Sequence, residues 1–179
     1  DQRDQSAAEV PLITVMEILH ASDLQEGVKQ AVKNNNAEQA SSFLHLAFSG
    51  DKEKAAQMLH EDFRFHYMGY PPPSENGLLQ QWEPLSKTEY VNDMLKLADD
   101  LLPEGISFII NDVIANERKV VLIAEGQSKG AHGPYNNNYA FVFEYKDGKI
   151  IAMSEFNSDL LVALRVYDYK IVKRNIQIE

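Results

Sequence analysis

Hydrophobic and polar positions change their spacing part-way along this chain. Up to about residue 105 the apolar residues mostly recur every three to four positions, and from 106 onward they alternate with a period of two. The alternating half divides into segments 106–115, 119–129, 135–145 and 149–158, separated by short polar turns, which predicts four consecutive strands in an antiparallel meander. Asp147-Gly148 joins the last two. A two-residue hairpin loop of the favoured hand needs positive φ at both positions, so this pair predicts a tight turn. With that loop, Tyr145 lies opposite Ile150, Phe143 opposite Ala152, Phe141 opposite Ser154 and Tyr139 opposite Phe156. One face of the expected hairpin is then aromatic. The other carries Asn138, Ala140, Val142, Met153, Glu155, Asn157 and Asp159.

The first half reads as helices with one strand among them. Residues 10–20 fit a strand or a short helix, and Leu24, Val28, Ala31 and Val32 have helical spacing; residues 1–35 are expected to form an appendage. Asn36 is expected to cap a helix over 37–49 with Ala40, Phe43, Leu44, Ala47 and Phe48 as its apolar stripe. Gly50 stops it, and Asp51 caps a second helix carrying Ala55, Ala56, Met58 and Leu59. Residues 62–68 alternate as a strand, ended by Pro71-Pro72-Pro73 and a loop containing Trp82. Ser86-x-x-Glu89 is a capping-box pattern opening a third helix, with Tyr90, Met94, Leu97, Ala98 and Leu101 on one side. Asp159 caps a short helical turn over 160–166, and 167–178 alternates again as an edge strand. Helices followed by a meander predict an α+β domain over 36–167, with 168–179 as a C-terminal strand or tail.

Composition narrows the function classes. The 179 residues are 44% hydrophobic and 25% charged, ordinary for a soluble globular domain, and no apolar run reaches membrane-spanning length. A formal charge of −10 without a Lys/Arg cluster argues against nucleic-acid and anionic-membrane partners. With no cysteine, disulfides, thiolate metal sites and cysteine nucleophiles are excluded. The chain opens on Asp1 rather than Met, as a processed or trimmed product would. Absence of cysteine does not fix the compartment; a cytoplasmic location is favoured. His20, His45, His60 and His132 form no ligand-spaced pair, so no metal is expected, and no Gly-rich phosphate loop or G-x-S-x-G elbow is present.

The element order resembles the nuclear transport factor 2-like cone fold. Within the hairpin, Tyr135-x-Asn137-x-Tyr139-x-Phe141-x-Phe143, then Asp147-Gly148-Lys149-Ile150 and Glu155-Phe156, resembles the SnoaL-like polyketide cyclase and ketosteroid isomerase group. The resemblance spans about residues 36 to 167. It implies a curved antiparallel sheet with three N-terminal helices packed on its concave face. It also implies a small apolar, polyketide- or steroid-like ligand between them and no cofactor. Carried onto the hairpin, it makes the face of Met153, Glu155 and Asn157 the pocket wall, and the aromatic face of Tyr139, Phe141, Phe143 and Phe156 the outer one. So many aromatic residues are costly to leave in water, so a homodimer through the outer sheet face is expected.

On that placement Glu155 is the first candidate for an acid/base, since desolvation raises a carboxylate's pKa toward neutrality. Glu125 and Gln127 alternate with Ile123 on the neighbouring strand and either share the pocket face, making a carboxylate pair with Glu155, or belong to a solvated edge. By alternation from Phe63 and Phe65, Tyr67 faces the pocket and His66 points away. Tyr70, Trp82, Tyr90 and Met94 are candidate walls, and Asn138, Ala140, Met153 and Asn157 candidate ligand contacts, from types that suit a flat apolar molecule with a few polar atoms. Relatives of the steroid isomerase type carry acids near Tyr67 and Ala140; this chain has none there, which argues against steroid isomerisation. Two readings stay open: proton-transfer chemistry such as isomerisation, cyclisation or dehydration, and a non-catalytic binding or assembly module.

Overall fold

Helix α1 is longer than its sequence signals suggest. The computed structural model describes residues 12–70 and 83–172. Expectations about 1–11, Trp82 with its loop, and 173–179 lie outside the described residues. Within them, α1 runs unbroken from Leu12–Ser49, through the expected cap at Asn36. Asn36 is buried: its side-chain Nδ2 donates to the Glu117 carbonyl at 3.1 Å, and its own carbonyl accepts from the Tyr145 hydroxyl at 2.8 Å. These long-range hydrogen bonds anchor Asn36 within the helix, where tertiary contacts outweigh its local preference for a cap. From there on, Ala40, Phe43, Leu44 and Ala47 pack inward, whereas Val28 and Val32 on the earlier part are exposed.

The next two helix starts follow the sequence, whereas the last short helix is capped by Ser158 rather than by the expected Asp159. Asp51 Oδ1 accepts from the Lys54 amide at 3.1 Å and opens α2, Lys52–Met58. Ser86 and Glu89 form the expected capping box, with Glu89 Oε2 taking the Ser86 amide at 2.7 Å. The helix that follows runs as α3 (Lys87–Glu89), a π-helical turn (Tyr90–Met94) and α4 (Leu95–Leu101). Among the described residues no helix is long and apolar enough to cross a membrane.

The strands are β1 (Leu59–Tyr67), β2 (Leu85–Ser86), β3 (Ile106–Ala115), β4 (Lys119–Gly130), β5 (Gly133–Pro134), β6 (Asn137–Lys146) and β7 (Lys149–Phe156), and a short helix α5 (Asp159–Arg165) follows. They form one open, curved sheet in the order β2-β1-β7-β6-β4-β3, with β5 on β4. The four-strand meander is present as expected. β1 lies parallel to β7, so the sheet is mixed rather than wholly antiparallel. Residues 167–172 form no strand, unlike the expected edge strand.

The β6–β7 hairpin carries the main correction. Its turn is the expected one, with φ of 50° at Asp147 and 73° at Gly148. Tyr145 pairs with Ile150 as expected, but Glu144 then pairs with Ala152, leaving Ile151 as an extra residue in a β-bulge. Beyond it Phe143 faces Met153, Phe141 faces Glu155 and Ala140 faces Phe156. One inserted residue moves every later side chain to the opposite face. The aromatic residues of β6 and Glu155 of β7 therefore share one face, the inner one. Tyr139, Phe141, Phe143 and Tyr145 are all buried, and Phe143 meets Phe43 of α1 edge-on at 6.0 Å. Phe156 goes outward with Asn138 and Ala140.

Candidate functional site

Between the inner sheet face, α4 and α5 lies a cavity of about 90 Å³, several times the roughly 10–15 Å³ that a single water needs. Met94, Leu97, Ala98 and Leu101 form its helical wall, Phe108, Tyr139 and Phe141 its sheet wall, and Val162, Val166 and Tyr167 its C-terminal cover. Its polar groups gather at one end: Tyr67, Tyr135, Glu155 and Asn157. The π-helical turn at Tyr90–Met94 sits where the third helix meets this wall, a local irregularity often found beside functional sites.

Glu155 reaches the cavity because of two features of the sheet. The bulge at Ile151 turns it inward, and the parallel pairing of β1 with β7 puts Tyr67 opposite it in register, fastened by the Met68 amide donating to the Glu155 carbonyl at 2.9 Å. The Glu155 side chain is buried. Asn157 Nδ2 donates to its Oε1 at 2.9 Å, and no other described side chain donates to Oε2. Burial pushes the Glu155 carboxyl up to about 7, with the Asn157 hydrogen bond pulling the other way. A carboxylate poised near neutrality beside an apolar wall suits reversible proton transfer.

Tyr67 is committed elsewhere. Its hydroxyl donates to Asp159 Oδ1 at 2.8 Å and lies 3.1 Å from Asn157 Oδ1, while Asp159 Oδ2 accepts from the Tyr70 amide at 2.9 Å. Burial and the Asp159 carboxylate raise the Tyr67 phenol well above its ordinary range, so it keeps its proton. Gly69 leaves room for this arrangement: a Cβ there would stand 2.0 Å from Asp159 Oδ1. Asp159 ties the start of α5 to the end of β1.

A second polar group comes from the start of β6. Asn137 Nδ2 donates to the Tyr135 hydroxyl oxygen at 3.1 Å, and the Tyr139 hydroxyl donates to the same oxygen at 3.1 Å. Asn137 Oδ1 accepts from the amides of Ser158 at 3.2 Å and Asn138 at 2.9 Å, which fixes the orientation of its amide. On β4, Gly126 makes space for the Tyr139 ring, since a Cβ there would lie 2.6 Å from it.

The structure thus brings Glu155, Tyr67, Asn157 and Met94 to one cavity and leaves the other described sequence candidates apart. Tyr90 is fully buried among Phe43, Phe63 and Phe65, with ring centroids at 6.3, 5.4 and 4.8 Å, and its hydroxyl meets Met153 Sδ at 3.9 Å. Tyr90 and Met153 belong to the core beneath the site. Tyr70 is half exposed. Glu125, Gln127, Asn138 and Ala140 lie on the outer face, and Glu125 accepts from Asn111 Nδ2 at 3.0 Å, so no Glu125–Glu155 pair forms. Among the described residues no group of three or more His, Asp or Glu side chains is arranged to hold a metal. Tyr135, Asn137, Tyr139 and Asp159 were missing from the sequence-based site. The signal was their company: a run of aromatics at every second position belongs in a core before it belongs on a surface.

The sequence profile of the SnoaL-like domain matches residues 40–153. Among solved structures, the chain is similar to PrhC from Penicillium brasilianum NBRC 6234, with 16% identity, TM-score 0.61 and coverage of 73% of this chain and 84% of that one. It is also similar to a nuclear transport factor 2-like protein from Burkholderia xenovorans LB400, with 13% identity, TM-score 0.56 and coverage of 75% and 97%. An LEH-like epoxide hydrolase from M. tuberculosis matches with 12% identity, TM-score 0.56 and coverage of 76% and 89%. A search of curated proteins finds no match. At these identities the structural likeness speaks for the fold, and the profile match over more than half the chain places it by sequence: the chain belongs to the SnoaL-like domain family of the nuclear transport factor 2-like fold.

Proposed function

We propose that this domain binds a small, largely apolar, oxygenated molecule in the cavity and moves a proton on it, with Glu155 as the acid/base. The observation that carries the reading is Glu155, the one buried carboxylate among the described residues, which lines an apolar cavity with one oxygen held by Asn157 and with burial pushing its carboxyl up to about 7. Isomerisation, cyclisation and dehydration all ask for one group that takes a proton from carbon and returns it elsewhere. Asn157 orients the carboxylate, and Tyr67 holds Asp159 in place.

A non-catalytic binding module of the same fold is the second reading. It is favoured by Asp159, whose carboxylate is committed to Tyr67 and the Tyr70 amide, so that among the described residues Glu155 has no carboxylate partner. Cyclohexanone and cyclohex-2-enone in deuterated water separate the two readings. Under the enzymatic reading the wild-type chain exchanges their α-protons, followed by proton NMR, with a rate that rises as pH passes through 7. Glu155→Gln lowers that rate roughly 100-fold. Equal exchange by both proteins, with the ketone bound to both, would leave the binding module.

A further inference from the structure

Two phenols and one amide beside the cavity leave one hydroxyl proton without an acceptor among the described residues. Tyr135 and Tyr139 share a single hydrogen bond at 3.1 Å, so of their two O–H protons only one is used between them. The Asn137 amide is fixed by the two backbone donors on its Oδ1, and its Nδ2 therefore donates to Tyr135. With Tyr139 also donating, the Tyr135 oxygen accepts twice, and among the described residues no acceptor receives its own proton. Both rings line the cavity that Glu155 also lines. An O–H whose oxygen accepts two hydrogen bonds is a polarised, stronger donor. Burial raises the Tyr135 phenol while those two hydrogen bonds pull the other way, so the group is a neutral donor across the working pH range.

We propose that Tyr135, oriented by Asn137 and Tyr139, is the hydrogen-bond donor that seats a carbonyl oxygen in this cavity, and that the substrate is a small carbonyl compound with an acidic C–H toward Glu155. This rests on the reading of Glu155 as the proton-transfer group. In the step, the Glu155 carboxylate takes the α-proton and the C–H electron pair becomes the C=C bond of an enolate. The carbonyl π pair moves onto oxygen, where the Tyr135 O–H meets the developing charge. Return of the proton from Glu155 to carbon restores the carboxylate. Tyr135 is then a catalytic residue, while Tyr139 and Asn137 are positioning residues that act through it.

The test uses the whole chain and carbonyl-¹³C-labelled cyclohex-2-enone, read by the infrared C=O stretch of the bound ketone. The band is expected at lower frequency in the wild type than in Tyr135→Phe, with Tyr139→Phe between them because it removes one donor from the Tyr135 oxygen. Tyr135→Phe is also expected to slow α-proton exchange roughly 100-fold, as loss of one such donor does elsewhere. Glu155→Gln should keep the low-frequency band while losing exchange. Both phenylalanine variants keep the ring, and if Tyr135→Phe does not melt cooperatively, Tyr139→Phe alone decides. An unshifted band in the folded variants, or no bound ketone at saturating concentration, overturns the proposal. Exchange that depends on Glu155 but not on Tyr135 sinks this inference and spares the proposed function. A Tyr135-dependent band with exchange indifferent to Glu155 overturns the proposed function and with it the enolisation step, leaving Tyr135 as a carbonyl-binding donor alone.

Discussion

Glu155 is a cost to the fold that the site retains. Its carboxyl titrates near 4.5 in an unfolded chain and at about 7 here. Between those values the folded chain holds a proton that the unfolded chain has lost, so this residue's contribution to stability falls as pH rises from 4.5 through 7. A displacement of that size corresponds to at most about 3 kcal/mol, fully felt above pH 7 and absent below 4.5. Glu155→Gln removes the ionisation and keeps an acceptor for Asn157. At pH 8 its melting temperature is expected to exceed the wild-type value by roughly 5 °C or more, and at pH 4.5 the two should coincide. A constant difference across that range in parallel thermal melts would show that burial of the charge is not what separates them.

At the scale of elements, one residue decides which side of β7 meets the cavity. Ile151 is the extra residue of the bulge, and beyond it Met153 and Glu155 point inward while Phe156 points out. Deleting Ile151 restores a regular ladder. It then faces a choice between burying Ser154 and Phe156 in place of Met153 and Glu155, and breaking the pairing of β7 with β6 and β1. The deletion variant is expected to lose its cooperative thermal transition and its near-UV circular dichroism, because Met153 is part of the packed core around Tyr90. A folded deletion variant with the wild-type transition would mean that the bulge carries no register information. The same bulge explains why an alternation pattern that is right for each strand gave the wrong face for the pair.

For the molecule as a whole, the homodimer expectation needs new residues. Of the four aromatics expected on the outer face, Tyr139, Phe141 and Phe143 are in the core and only Phe156 is outside. That face instead exposes Ile109, Ile114, Ile123 and Phe156, with Val121, Ala140 and Val142 half-buried between them. In register, Ile114 stands beside Val121 and Val142, and Ile123 beside Ala140 and Phe156, so the patch is contiguous across β3, β4, β6 and β7. A contiguous apolar sheet face of this kind is suited to a two-fold, self-complementary contact. Sedimentation equilibrium is expected to give a dimer at micromolar concentration and a monomer for the Ile123→Lys, Phe156→Lys double variant. A wild-type monomer at that concentration would rule out this contact as a stable one.

Local chemistry in the sequence determined much of the fold. Asp147-Gly148, the Asp51 cap, the Ser86–Glu89 capping box and the four alternating segments each act over a few residues, and each appears where it was expected. They were enough to place the chain in its fold and to single out Glu155 and Tyr67. What local pattern does not carry is the identity of distant partners. Asn36 stays helical because Glu117 and Tyr145 take its polar groups, and β1 pairs parallel to a strand about ninety residues later. The inward turn of Glu155, the outward turn of Glu125 and Gln127, and the gathering of Tyr135, Asn137 and Tyr139 around a cavity all depend on one bulge and on which sheet face the helices cover. Only the tertiary structure decided these, because a period of two fixes which residues share a face of a strand and leaves open which face is buried.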